Sequence, residues 1–383
     1  MQARYTLHGW HLSYYTGKVL CYLRYKGIPF DGPRASAWTL LRQIKKRFGA
    51  AVMPVLVTPQ GEWIQDSGDI ISQLELRYPA RSITADDAVV RFASALMEAW
   101  GDEWWVPVAM HSRWSYPENY ALFERDAGPQ LLLGFPRVLQ NMAVAKVANG
   151  LRAMLHNAGV RPAHNEVLEA WTRNMLDLLD AHFATQPYLF GQAPLLGDFG
   201  LVGTMYGHLG RDPWPAREWI AKRPHLRAWI DRMSQEQPET HGAQAALDAP
   251  VIAPTLLPVF TAIFAEFTPY VAQTNAQVKA AIATATATAP EGRLLKRSLG
   301  DVRLPTSAGT LARKALPFAV WKVQGVLHSV ADMSPADQAR VRLWAAPLGG
   351  EAFLNLQLQA LERSGLRVRA ASHATTHTGG AST

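Results

Sequence analysis

Three polar residues, Gln65-Asp66-Ser67, stand where a helix is predicted to begin, and their side chains suit a small zwitterionic ligand. Apolar residues at helical spacing follow them, from Ile70 to Leu74, so the helix starts near residue 67. A helix N-terminus offers free N–H groups and the positive end of the helix dipole, which favour a carboxylate. The segment therefore predicts a site that holds a carboxylate and an amine together. The alternative, which this segment alone favours, is that Asp66 or Ser67 only caps the helix.

The dipeptide Met53-Pro54 precedes a short apolar run, residues 55–57, that reads as a strand. Proline is tolerated at the first residue of a strand, where its missing N–H costs least. In a cis Met53–Pro54 bond the backbone N–H and C=O of Met53 turn outward and can pair with an extended peptide. Cis bonds are uncommon even before proline, and we predict one here.

A hydroxyl-rich loop, residues 11–19, joins the first predicted strand to the first predicted helix. Ser13 or Thr16 can cap that helix, and a hydroxyl at a helix start can also donate to an anion. Tyr5, Tyr14 and Tyr15 are rival hydroxyl donors. The sequence weighs the plain capping role of Ser13 about equally with a chemical role.

The elements that position these residues follow the order strand, helix, strand, helix, strand, strand, helix over residues 1–80. With Met53-Pro54 and the polar triplet at residues 65–67, this order resembles the thioredoxin-like N-terminal domain of the glutathione S-transferase superfamily. The resemblance implies an α/β thioredoxin-like domain followed by an all-α domain. It also implies that Met53, beside Pro54, pairs with the cysteinyl backbone of glutathione.

The same resemblance assigns the γ-glutamyl carboxylate of glutathione to Gln65 and Ser67. Asp66 is then an extra residue within the usual two-residue pattern. The alignment of this segment with the pattern is therefore open by one residue. The segment Ser-x-Tyr-Thr-x-Lys-Val resembles the catalytic loop of Ser-type transferases and implies that Ser13 activates the thiol. Tyr15 and Thr16 are the alternatives in that loop, and Tyr14 stands where the family usually has proline.

The C-terminal half of the resemblance rests on two segments, residues 186–201 and 223–233. The first resembles the signature that precedes the central buried helix of the family, although Leu195 replaces the usual Ser or Thr of the capping box before Asp198. The second resembles the last core helix of the family. The resemblance covers about residues 4–236.

Residues 86–111 are apolar at helical spacing and lead into a cluster of aromatic and basic residues. In the family this helix lines the pocket for the second substrate. Most of these residues are predicted to form a buried helix seam. We expect Trp105, His111 and Arg113 to reach the pocket, and Pro107 to kink or shift the helix.

Four segments are predicted. Residues 1–80 form the glutathione-binding domain and residues 86–240 the all-α domain. Residues 245–370 form a mainly α-helical extension that packs on this core, with a hairpin near residues 294–304. Residues 371–383 are small and polar and predict a disordered tail. Some bacterial proteins that resemble this family carry a similar extension.

Composition excludes several classes of function. The single cysteine, Cys21, lies on an apolar helix face and excludes a disulfide framework or a cysteine-based zinc site. The net charge of +7 comes without a dense basic stripe interleaved with aromatic residues, so no nucleic-acid partner is expected. No signal peptide precedes the first strand, and prolines and Glu266 interrupt the most apolar stretch, residues 250–271. We therefore expect a cytoplasmic protein with no metal and no membrane partner.

The resemblance implies a glutathione transferase, in which the glutathione thiolate attacks a small apolar electrophile. The alternative is a non-catalytic protein of the same fold that binds a partner. A glutathione-dependent reductase or lyase is less favoured, because such proteins usually use a cysteine in the loop at residues 11–19. A homodimer is expected because the family's site normally forms beside a twofold interface, which the extension can block or replace.

Overall fold

The computed structural model describes residues 4–236, 251–286 and 293–371. All but the first residue of the predicted tail, residues 371–383, lie outside the described residues. The N-terminal domain is built on one four-stranded sheet with the strand order β2-β1-β3-β4, in which β1 runs parallel to β2 and antiparallel to β3. Its strands are β1 (Tyr5–His8), β2 (Phe30–Asp31), β3 (Val55–Val57) and β4 (Trp63–Gln65).

Helices cover both faces of this sheet because the side chains of its strands alternate between two apolar cores. Leu7 and Leu56 face one core with helices α1 (Tyr14–Lys26) and α3 (Ser67–Arg77). Val55 faces the other core with α2, whose first part, Thr39–Ile44, is π-helical and whose end, Lys45–Phe48, is α-helical. This period of two is the signature of a strand buried on both faces.

The second domain is all helical, as the sequence predicted. Its helices are α4 (Ala88–Glu103), α5 (Val106–Trp114), α6 (Pro117–Leu131), α7 (Arg137–Arg152), α8 (Leu155–Ala158), α9 (Asn165–Phe183), α10 (Leu196–Thr204), α11 (Pro213–Pro215) and α12 (Pro224–Ser234). Helices α4 and α10 cross at backbone contact, since a Cβ on Gly200 would lie 2.5 Å from the Cα of Glu98. The glycine at this crossing therefore permits the close packing of the two helices.

The helix predicted over residues 86–111 is two helices rather than one. The break falls at Trp104-Trp105, and Pro107 sits in the first turn of α5. Proline is tolerated there because the first N–H groups of a helix have no partner in the helix. The expected shift therefore occurs before the proline, and it redirects every side chain of α5.

The extension is mainly helical and packs on the core. Its helices are α13 (Leu257–Ala262), which continues through the π-helical Ile263–Phe267 into α14 (Thr268–Thr286), and then α15 (Pro317–Ala331), α16 (Pro335–Ala345) and α17 (Glu351–Leu354). Within the described residues one helix, Pro254–Thr284, is long and apolar enough to cross a membrane, and 56% of its apolar window is buried inside the molecule.

Two hairpins of the extension depart from the prediction. The predicted hairpin at residues 294–304 lies later, as β5 (Asp301–Thr306) paired with β6 (Gly309–Lys314). A second hairpin, β7 (Leu361–Ser364) with β8 (Arg367–Ala370), was not predicted. Its strands are short and largely polar, so they lack the alternation of apolar residues that signals a strand.

The extension buries helix α4. Helices α15 and α16 pack against it from outside while α10 packs from inside. Only Arg91 and Ala95 of its sixteen residues are not buried. A helix buried all round must be apolar or must pair every charge it carries, and α4 carries three carboxylates near its end.

Candidate functional site

A cavity of about 620 Å³ lies between the sheet domain and helices α5, α6 and α7. Its lining is mostly apolar, and the polar groups are few. Ser13, Tyr15 and Met53 line it from the first domain, and Arg113 lines it from the second. A mostly apolar cavity with few polar groups is the usual form of a small-molecule site.

Ser13 stands at the N-terminus of α1 with its side chain at the cavity wall. Its backbone is extended, and its hydroxyl accepts a 3.4 Å hydrogen bond from the N–H of Thr16. The hydroxyl can therefore cap the helix and still meet a ligand atom in the cavity. Both roles that the sequence left open are compatible with this position.

Thr16 does not reach the cavity, which contradicts its place among the catalytic candidates. It is fully buried, and its side chain packs so tightly on Gly9 that a Cβ on that glycine would lie 2.5 Å away. The first turn of α1 points Thr16 back towards the sheet domain. Ser13 and Tyr15 stay at the cavity.

Tyr15 contributes its ring to the cavity wall, but its hydroxyl points to α4, where it donates to the carbonyl of Asp102 at 2.9 Å. The neighbouring Tyr14 donates to the carbonyl of Gly101. Burial raises the pKa of both phenols well above the usual range, and the carboxylates of α4 add to the effect. Both hydroxyls are thus occupied in joining the two domains, and Ser13 is the better candidate for thiol chemistry.

Met53 lies at the same cavity, and the Met53–Pro54 bond is cis, as the sequence predicted. Pro54 is buried and immediately precedes β3. The structure thus brings Ser13, Tyr15 and Met53 together.

The start of α3 fixes the register that the sequence left open. Gln65 ends strand β4 and pairs with Val55. Asp66 is the N-cap residue, with a φ of 87° and a carboxylate that accepts a 2.9 Å hydrogen bond from the N–H of Gly68. Ser67 is the first helical residue and is buried. The acid–serine pair at the helix start is therefore Asp66-Ser67, and Gln65 belongs to the strand.

The extension reaches this helix start. The guanidinium of Arg363 lies 3.3 Å from the carboxylate of Asp66 and also contacts Asp69. The side chain of Lys322 approaches Gly68. Sequence reasoning missed this contact because Arg363 lies on the hairpin β7–β8, which the sequence did not reveal.

A buried group of four charges lies beside the helix start, and we call it the α4 charge cluster. Lys18 contacts Glu98 at 2.5 Å and Asp102 at 2.8 Å, and Lys322 contacts the same carboxylates at 2.8 Å and 2.7 Å. Burial by itself would raise the pKa of Glu98, but the two ammonium groups outweigh it and hold that pKa well below its usual range. The cluster ties α1, α4 and α15 together. The spacing of Glu98 and Asp102, one turn apart on an apolar helix, was an available signal for it.

Arg113 lines the cavity and also joins two separate segments of the chain. Its guanidinium pairs with Asp212 at 2.9 Å and donates to the backbone carbonyls of Leu12 and Gly207. It therefore holds the loop before Ser13 against the π-helical end of α10, Met205–Leu209. Of the three residues predicted for a second-substrate pocket, Arg113 is the one at the cavity.

Trp105 and His111 were predicted to reach the pocket, and in the structure they do not line it. Trp105 is fully buried and packs edge-on against Trp100 and Trp171. His111 is buried too, with its ring 3.1 Å from the carboxylate of Glu169. The break before α5 explains both positions, because it turns another face of the helix to the cavity. That face, at helical spacing, consists of Val106, Ala109, Met110, Arg113 and Trp114.

His208 also lines the cavity and was missed by sequence reasoning. Burial lowers its pKa well below the usual value, and the nearby charge of Arg113 acts in the same direction. The imidazole is therefore neutral at neutral pH. The described residues contain no group of three or more His, Cys, Asp or Glu side chains placed to hold a metal ion.

Comparison with known protein families finds a match for each of the two domains. Residues 7–82 match the family of the glutathione S-transferase N-terminal domain, and residues 163–232 match that of the glutathione S-transferase C-terminal domain. The chain carries both domains of the glutathione S-transferase superfamily. The extension, beyond residue 236, lies outside both domain matches. No curated protein sequence matches the chain.

Solved glutathione S-transferase structures resemble the chain at low sequence identity. One from Methylobacterium radiotolerans, in complex with glutathione sulfonate, is 21% identical, with a TM-score of 0.38 over 64% of this chain and 99% of its own. A second from Ceriporiopsis subvermispora, in complex with glutathione, is 17% identical, with a TM-score of 0.40 over 61% and 97%. A glutathione S-transferase-like protein from Pseudomonas syringae is 15% identical, with a TM-score of 0.38 over 83% and 98%.

Proposed function

We propose that the protein is a glutathione transferase that joins the glutathione thiolate to an apolar electrophile. One observation carries the proposal: Ser13 at the start of α1 and Met53, two residues before β3, line the same large and mostly apolar cavity. A thiol held at that wall faces a space that suits an apolar co-substrate. Sulfur forms the new bond to carbon, and the electron pair of the broken bond departs with the leaving group or moves into the electrophile.

The chain's own groups can bind glutathione between this wall and the start of α3, whose residues Asp66 and Ser67 do not line the cavity itself. The backbone of Met53 pairs with the cysteinyl residue, and the hydroxyl and N–H of Ser67 take the γ-glutamyl carboxylate at the start of α3. The amine of the γ-glutamyl residue lies beside Asp66, and it must share the Asp66 carboxylate with Arg363. This contact makes the extension a neighbour of the ligand, so ligand binding and packing of the extension are coupled.

Ser13→Ala is expected to raise the pKa of the bound thiol and to slow conjugation. A free thiol titrates near about 8.5, and running at neutral pH needs a fall of roughly 2 units, about 2.7 kcal/mol of thiolate stabilisation. One hydrogen bond to a charged group contributes about 1.5–3 kcal/mol, so the loss of the hydroxyl should remove most of this shift. The measurement is thiolate absorbance against pH, with a model electrophile assayed in parallel.

Thr16→Ala is the matched control for this prediction, because Thr16 is buried away from the cavity and its loss should leave the titration unchanged. The opposite pattern, with the titration kept in Ser13→Ala and lost in Tyr15→Phe, would move the role to Tyr15.

Ser67→Ala is expected to weaken glutathione binding, because the variant loses a donor to the γ-glutamyl carboxylate. A hydrogen bond to a charged group is worth about 1.5–3 kcal/mol, which corresponds to a tenfold or greater rise in Kd. Calorimetric titration measures it. Ser72→Ala serves as control, since Ser72 is an exposed serine of the same helix. Unchanged affinity in Ser67→Ala would mean that the carboxylate binds elsewhere.

The second candidate function is a non-catalytic binding protein of the same fold. It is favoured by the extension, which pairs with Asp66 and covers α4. Titration of the full chain with glutathione separates the two proposals, because a transferase must bind glutathione and form a thiolate at neutral pH. The homodimer and the cytoplasmic location stay predictions, and a dimer would need an interface outside the covered face of α4.

A further inference from the structure

Exposed apolar side chains are concentrated on two segments of the chain that also supply much of the cavity wall. Eight of the eleven large hydrophobic residues that the described part of the chain exposes fall in two segments, residues 32–61 and 127–160. These eight, which we call the mouth face, are Trp38, Leu41, Leu133, Phe135, Val138, Leu139, Met142 and Met154. Leu41 and Met154 line the cavity itself, so the mouth face reaches the cavity at these two residues.

This density of exposed apolar side chains is unusual for a surface in contact only with water. Trp38 is 64% exposed, and Val138 and Met142, one turn apart on α7, are 71% and 65% exposed. Scattered exposed apolar residues need no explanation, but a contiguous patch marks a surface that binds something.

The charge of the same two segments has one sign. Residues 32–61 contain five Lys or Arg and residues 127–160 contain three, and neither segment contains an Asp or Glu. Four of the cations, Arg42, Lys45, Lys46 and Arg47, lie exposed on or beside α2. Lys146 is exposed on α7 and lines the cavity. Acidic residues, namely Asp31, Glu62 and Asp126, directly flank the two segments. A surface that is both apolar and predominantly basic matches the interface of a bilayer that contains anionic lipid.

We propose that the mouth face docks the protein on an anionic membrane surface, with the cavity opening towards the lipid. Exposed apolar side chains enter the boundary between headgroups and acyl chains, while the cations pair with lipid phosphates. The sequence predicted no membrane partner because its most apolar stretch is not a membrane span, and this proposal departs from that prediction, since a docking surface needs no spanning segment. An apolar co-substrate dissolved in the bilayer would then reach the cavity without crossing water.

The charge decides against a second copy of this chain as the occupant. Two copies joined through the mouth face would bring their cations together with no carboxylate from either segment to offset them. Like charges held together in this way oppose association. An anionic bilayer supplies the missing charge.

The test is co-flotation of the full chain with vesicles of phosphatidylcholine, alone or mixed with phosphatidylglycerol. We expect binding to the mixed vesicles and a fall in binding as salt rises. The double variant Lys45→Glu/Lys46→Glu should bind the mixed vesicles at least roughly tenfold more weakly. The triple variant Trp38→Ala/Phe135→Ala/Met142→Ala, which changes no charge, should also lose most of the binding.

Two variants on the extension serve as matched controls. Lys296→Glu reverses an exposed lysine, and Leu343→Ala removes a leucine that is 79% exposed. Both should bind like the unchanged protein, and circular dichroism checks that every variant is folded. Equal binding to both vesicle types, no binding to either, or equal loss in the controls would each overturn the proposal. A dimer in solution that the triple variant abolishes would assign the face to a second copy and overturn it too.

Discussion

Lys322→Ala is expected to lower the free energy of unfolding by about 3–5 kcal/mol, the usual cost of removing one partner from a buried ion pair. Lys322 contacts both Glu98 and Asp102. Without it, the single ammonium of Lys18 must balance two largely buried carboxylates. The variant also loses the charged contact that fixes α15 on α4. Urea unfolding monitored by circular dichroism measures the effect.

Lys314→Ala is the matched control for Lys322→Ala. It makes the same substitution in the same extension, but its partner Asp301 is half exposed, so the pair is worth about 1 kcal/mol or less. Equal losses in the two variants would show that the α4 charge cluster contributes no more than a surface pair.

Glu103→Gln is expected to stabilise the protein at neutral and alkaline pH and to have little effect below about pH 4.5. Burial raises the pKa of Glu103 from 4.5 to about 8, and the attraction of Lys322 offsets only part of that effect. The folded protein therefore keeps a proton that the unfolded chain has lost between these two values. The stability that the carboxyl group of Glu103 contributes is fully present below its pKa in the unfolded chain. It is lost as the pH rises through its pKa in the folded protein. Glutamine mimics the neutral form and carries no such loss.

The stability difference between Glu103→Gln and the unchanged protein should grow by about 1.4 kcal/mol per pH unit between the two pKa values. It should level off above the higher one. Glu118→Gln is the control, because Glu118 pairs with Arg217 at the surface and that hydrogen bond lowers its pKa. A stability difference for Glu103→Gln that does not change with pH would show that Glu103 is already ionised in the folded protein.

The sequence predicted those parts of the fold whose signals are local. Strand β3 follows from an apolar run behind proline, and the start of α3 follows from Asp66 and the spacing of Ile70 and Ile71. The cis bond before β3 was predicted instead from the need of an extended peptide ligand for outward-facing backbone groups at Met53. The order of such signals was specific enough to indicate both domains. The register at Gln65 could not be fixed, because one residue more or less leaves the local pattern intact.

The positions of Trp105 and His111 could not be predicted, because a break between two helices changes the direction in which every following side chain points. The helical spacing of apolar residues continues across Trp104-Trp105 as if there were one helix. The sequence therefore predicts that the wrong face of α5 lines the cavity. Lys322 and Arg363 lie more than two hundred residues along the chain from the residues that they contact in α3 and α4. Such pairings depend on tertiary packing, for which a single sequence carries no local signal.

Since helices of the same chain cover α4, the burial of that surface does not depend on how much protein is present. A partner subunit would leave on dilution, and any stability it contributed would fall with its concentration. A covalently attached segment keeps a fixed effective concentration against its target at every dilution. Helix α4 and the neighbouring start of α3 therefore keep their surroundings whether the cell holds few copies of the chain or many.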